Sequence, residues 1–143
     1  MYKNTTVSLN TATVYKSLYF NTFFWYNPRP PTTTLLFYTT RILYTAAGSG
    51  ALQSNIVGNE DVAIGAYSLN KNVYGYNNVA VGSAALQNNT DGNNNTATGH
   101  GALNSNTASN NTATGDDAMY KNTTGSLNTA TGYKSLYSNT GGG

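Results

Sequence analysis

The residues of this chain that could do chemistry are few. His100 is the sole histidine and follows Gly99 in "TATGHGAL"; Asp116-Asp117 follows Gly115 in "TATGDDAM"; Glu60-Asp61 precedes "VAIG". A histidine grouped with thiolates or acids holds a transition metal, and one beside a nucleophile acts as a general base. The chain has no cysteine, which removes thiolate sites and disulfide frameworks. No acid is clustered with His100 along the sequence, so His100 is expected as an exposed turn residue and Asp116-Asp117 as a solvated acidic turn. Calcium at Glu60-Asp61 would call for the glycine-rich nonapeptide of calcium-binding β-rolls, which is absent. Neither a phosphate loop nor a nucleophile–base pair occurs. No catalytic residue, metal ligand or cofactor is assigned, and no enzyme is expected.

Composition narrows the class further. Charged residues make up 8% of the 143, against about a quarter in ordinary globular domains. Asn, Thr, Gly, Ser and Tyr fill the gap. The net charge of +2 is too small to argue for nucleic acid. No apolar run approaches the roughly 20 residues that cross a bilayer, so membrane insertion is not expected.

Order comes from repetition. "TAAG", "VAIG", "VAVG" and three copies of "TATG" end on Gly48, Gly65, Gly82, Gly99, Gly115 and Gly132, at steps of 17, 17, 17, 16 and 17. Four residues beyond each anchor runs the column Leu18, Leu35, Leu52, Leu69, Leu86, Leu103, Met119 and Leu136. Two before it the column is almost all Ala. Seven after it stand Asn55, Asn72, Asn89, Asn106, Asn122 and Asn139, and four before it a second column, mostly Asn, includes Asp61. Such self-similarity marks a solenoid.

Each copy reads as a short strand ended by Gly, a second short segment, and Asn-rich turns. Asn and Gly tolerate the left-handed backbone that corners need. The expected fold is all-β: a parallel β-solenoid, or β-roll, of about eight coils of 16–17 residues. Leu and Ala face inward and Asn side chains form hydrogen-bonded ladders between coils. The positions flanking Ala alternate between Val or Ile and Thr, as in Val62/Ile64 and Thr96/Thr98. A column accepting both suits a partly wet surface or a subunit contact.

Two regions are expected: degenerate, aromatic-rich repeats over 1–44 and regular repeats over 45–143. In the first, "NPRPP" occupies the place of "NTATG", and proline there opposes ladder bonding. An end cap, an adhesive arm against a neighbouring subunit, and decayed repeats are all open readings of it. Residues 1–22 and 119–140 differ at only three positions. Matching ends suit an array that continues from one copy of the chain to the next, because open edges polymerise unless capped.

Other exposed chemistry is modest. Tyr15, Tyr19, Tyr120, Tyr133 and Tyr137 are expected to stack on neighbouring coils rather than on sugar. Sequons at Asn4, Asn88, Asn94, Asn110 and Asn122 are candidate glycosylation sites. Thr-Ala-Thr at 11–13, 96–98, 112–114 and 129–131 would stack into two threonine ranks, which resemble the ice-binding face of solenoid antifreeze proteins.

The copies "NEDVAIGAYSLNKNVYGYNNVAVGSAALQNNTDGNNNTATGHGAL" (59–103) resemble the head repeats of trimeric autotransporter adhesins and the "NTATG…AL…NTTG" arrays of bacterial surface proteins and phage tail fibres. The resemblance implies a left-handed roll, often trimeric, on a cell or virion surface. This sequence has a longer coil than the adhesins and shows no stalk, membrane anchor or self-cleaving tail domain. The expected function is a structural, extracellular fibre assembled from copies of itself. The shaft of an adhesin or tail fibre is the alternative, and ice binding the third reading.

Overall fold

The structure is a computed structural model that describes residues 9–13 and 43–143, with side chains from Tyr44 onward. Seven strands form one parallel sheet in sequential order: β1 (Leu9–Thr13), β2 (Leu43–Ala47), β3 (Asp61–Ile64), β4 (Val79–Val81), β5 (Thr96–Thr98), β6 (Thr112–Thr114) and β7 (Thr129–Thr131). The register follows the repeat: Ala46 pairs with Ala63, then Ala80, Ala97, Ala113 and Ala130. Among the described residues there is no helix, and so none long and apolar enough to cross a membrane. The fold is a parallel β-solenoid.

About five turns carry the chain from β2 to β7, fewer than the eight coils expected. β1 pairs directly with β2, Ala12 facing Ala46 two repeat lengths on. Leu18 and Leu35 of the leucine column and the "NPRPP" rung lie outside the described residues.

The strand's central Ala points inward and its neighbours point out, as the two-residue period of a strand requires. The core is narrow. Leu52, Leu69, Leu86, Leu103 and Met119 are fully buried in one row, as are the Ala residues beside them. A small-residue column not singled out in the sequence, Ala51, Ser68, Ala85, Ala102 and Ala118, is buried next to the leucines. Leu136 departs from the row. It is 51% exposed, on the last described coil.

Backbone conformation corrects one expectation. Left-handed φ is not left to Gly and Asn. Leu52, Leu69, Leu86, Leu103, Met119 and Leu136 all lie between +47° and +53°, a conformation uncommon for bulky residues and worth roughly 1 kcal/mol of strain each. Burial and stacking repay it: the Leu86 amide donates to Ala102 O at 3.0 Å, and the same bond recurs on the other coils.

The anchor glycines are required twice over. Gly82 has a φ of +137°, and a Cβ there would lie 2.4 Å from Gly99 O on the next coil. Gly48, Gly65, Gly99 and Gly115 meet the same obstruction.

Candidate functional site

Asparagine holds the coils in register. Asn72, Asn89, Asn106, Asn122 and Asn139 each donate from Nδ2 to the Oδ1 of the residue one coil below, beginning with Asn55, at 2.7–3.4 Å. The same amides close their own turns, Asn89 Nδ2 on Gly92 O at 2.8 Å for one. A buried amide so satisfied contributes rather than costs. The coil from Gly99 to Gly115 is one residue short, and the loss falls in this turn: Asn106 closes on Ala108 O, two residues on instead of three. The ladder passes through undisturbed.

The second column does the same with backbone donors. The amides of Asn95, Asn111 and Asn128 donate to Oδ1 of Asn78, Asn95 and Asn111 at 2.9–3.0 Å. Asp61 starts this row, accepting from Asn78 N–H at 2.8 Å and Asn72 Nδ2 at 2.9 Å. It is fully buried. Desolvation outweighs these hydrogen bonds and pushes its carboxyl up to about 8, with Glu60 adding to the rise.

Two surfaces are left uncovered among the described residues. The first is the edge of the last described rung, where β7 has β6 as its single neighbour. Met119 and Lys121 donate their amides upward to Ser135 O and Tyr137 O at 2.8 and 2.9 Å. Among the described residues, no rung lies above the equivalent amides of Leu136 and Ser138. On the same last coil Leu127 is 74% exposed, and the Cβ direction of Gly132 meets nothing within 4 Å.

The second surface is the outer sheet face. Thr96, Thr112 and Thr129 form one rank, and Thr98, Thr114 and Thr131 the other, one residue per rung. All but the half-buried Thr96 are exposed. Val62, Val79, Ile64 and Val81 continue the ranks as apolar positions. The mixed Thr/Val columns are thus outward-facing, as their composition suggested.

Other expected residues fall as follows. Tyr120 and Tyr137 stack within the rod, with centroids 5.5 Å apart and ring planes at 7°. Tyr133 is exposed, with Lys134 Nζ 5.0 Å from its ring centroid. Tyr15, Tyr19 and the sequon Asn4 lie outside the described residues. Asn94 and Asn110 are exposed on left-handed corners, and Asn88 is half-buried. Asn122 is corrected as a glycan acceptor: it is fully buried, with Nδ2 committed to Asn106 Oδ1 and Gly125 O.

His100 is exposed as expected, but it does have acidic neighbours. Its Nδ1 lies 2.9 Å from Asp116 Oδ1 and 3.9 Å from Asp117 Oδ1. The signal was in the register: His100 and Asp116 each follow an anchor glycine, so stacking places one over the other. Compared with protein-family models, with curated proteins and with solved structures, the chain matches none.

Proposed function

We propose that this chain is a non-enzymatic, extracellular fibre protein that extends a filament by stacking coils of one copy on those of the next. The open edge of β7 carries the reading. Residues 127–131, "LNTAT", which end in β7, repeat the five that form β1 at the opposite edge of the sheet. A parallel sheet whose two edges carry one sequence offers each edge the register it already uses inside. Contact between unlike edges does not close into a ring and grows as a filament. The rod would be left-handed by resemblance and stand on a cell or virion surface. Its partners are copies of itself, in a plain or trimeric filament, with glycans on the exposed sequons; neither nucleic acid nor membrane insertion enters the proposal.

Negative-stain microscopy of the pure chain tests this. Filaments many times longer than one rod are expected, and Thr129→Pro, which removes an upward-facing edge donor, is expected to shorten them. Uniform short rods at every concentration would overturn the reading and favour the shaft of an adhesin or tail fibre.

The exposed threonine ranks support ice binding as a second reading. Rungs spaced about 4.8 Å apart present them as a regular lattice. Thermal hysteresis that disappears on replacing Thr112 and Thr114 with bulky residues is the expected result, and no hysteresis at millimolar protein removes the reading.

A further inference from the structure

We propose that His100, Asp116 and Asp117 form a site for a first-row divalent cation, of which Zn2+ is the representative, bridging two successive coils. The three ligand atoms, one imidazole nitrogen and two carboxylate oxygens, lie within 4.8 Å of one another. Ligands about 2.0–2.2 Å from a tetrahedral ion sit roughly 3.3–3.5 Å apart. The two separations from Nδ1, 2.9 and 3.9 Å, fall on either side of that value, and the carboxylate pair lies within 4.8 Å, so rotation of the side chains must draw the three together onto one ion.

The fold builds this cluster. Gly99 and Gly115 are adjacent anchors, and the residue after each, His100 or Asp116, opens the same corner on consecutive rungs. Asp117 comes in from the next position, where its φ of +54° turns the chain. Its amide donates to His100 O at 2.8 Å, fixing the backbone of one ligand to that of another. Glycine at 101 makes the room: a Cβ there would lie 2.6 Å from Asp117 Oδ1. The same column carries Gly50, Tyr67, Ala84, Asp117 and Lys134 on the other coils, and a side chain such as that of Tyr67 would fill the space that Gly101 leaves. Backbone-held ligands lose little freedom on binding.

The donor set selects the ion. Imidazole with carboxylate and without sulfur suits Zn2+, Ni2+ or Co2+. No Lys or Arg ion pair to Asp116 or Asp117 occurs among the described residues; the Lys134 ammonium lies over the Tyr133 and Tyr137 rings, though near enough to Asp117 to feel its charge. Asp117 is mostly covered, while His100 and Asp116 are open to solvent, which gives the ion an entry path and leaves its remaining positions to water. Coordination replaces the His100–Asp116 hydrogen bond, with the ring proton on Nε2. The consequence is a removable clamp between two coils.

The test is a Zn2+ titration of the full chain, followed by calorimetry and by NMR of the histidine ring, which is unambiguous because the chain has one histidine. One Zn2+ per chain is expected, with His100 ring signals shifting to saturation. His100→Ala is expected to weaken binding by roughly tenfold or more and to abolish the rise in Tm that Zn2+ gives the parent. Asp116→Asn and Asp117→Asn should weaken it too, with circular dichroism confirming the fold. Ring signals unmoved by millimolar Zn2+, or binding unchanged in His100→Ala, would overturn the proposal; should an Asp variant misfold, His100→Ala and the ring signals still decide it.

Discussion

Asn78 donates its backbone N–H to Asp61 Oδ1 at 2.8 Å, one coil away, in a column that runs on as Asn95, Asn111 and Asn128. The asparagines of that column also donate, as Asn78 does from Nδ2 to Gly92 O at 2.9 Å. An ionised carboxylate has nothing to donate and cannot be solvated there. Asp61 is therefore the one carboxyl group set into this otherwise amide ladder, and burial favours its neutral form.

Stability is accordingly expected to depend on pH through Asp61. Its carboxyl titrates near 8 in the fold against 3.8 in the open chain. Below both values the two states carry the same proton and there is no penalty. As pH rises from about 4 to about 8 the unfolded chain ionises first, and stability falls on the order of a few kcal/mol before levelling off. Asp61→Asn should remove that slope and raise stability at pH 7. Urea unfolding at pH 4, 6, 7 and 9 reads it directly.

Two glycines with similar φ should respond differently to the same change. Gly82→Ala drives a Cβ into the next coil and is expected to cost upward of ~3 kcal/mol and split the unfolding transition. Gly132→Ala has open space before it and should cost only the conformational strain, about 1 kcal/mol. Thermal melts of the two variants make the comparison.

Leu86→Ala and Leu136→Ala delete the same atoms from the same column. The first leaves a buried cavity and should cost about 2–5 kcal/mol; the second, at an exposed rung, less than about 1. In assembled filaments the Leu136 value should climb toward that of Leu86, so scanning calorimetry above and below the assembly concentration distinguishes a covered edge from a bare one.

Asn89→Ala removes a donor to Asn72 Oδ1 and Gly92 O and the acceptor of Asn106 Nδ2. Three buried groups lose a partner together, and about 2–4 kcal/mol of destabilisation is expected. Hydrogen exchange should show the loss spreading to the coils on both sides.

The axial columns were legible because stacking turns sequence period into spatial contact, so Leu52, Leu69, Leu86 and Leu103 align whatever the coil's detailed path. The path itself was not legible. Leucine at positive φ is locally unfavourable, and only the pull of the shared core selects it, which no single copy reveals. The His100–Asp116 pair was readable in principle, but a search along the chain for neighbouring acids passes over partners one coil away. The burial of Asp61 was hidden by its likeness in shape to the asparagines it replaces.

The shortened turn between Asn106 and Ala108 shows that this corner can lose a residue while the strands keep their alignment. Foreign peptide spliced into that bend, or into its counterparts on other coils, would project sideways at regular intervals. The rod would then serve as a ruler bearing a row of evenly spaced branches.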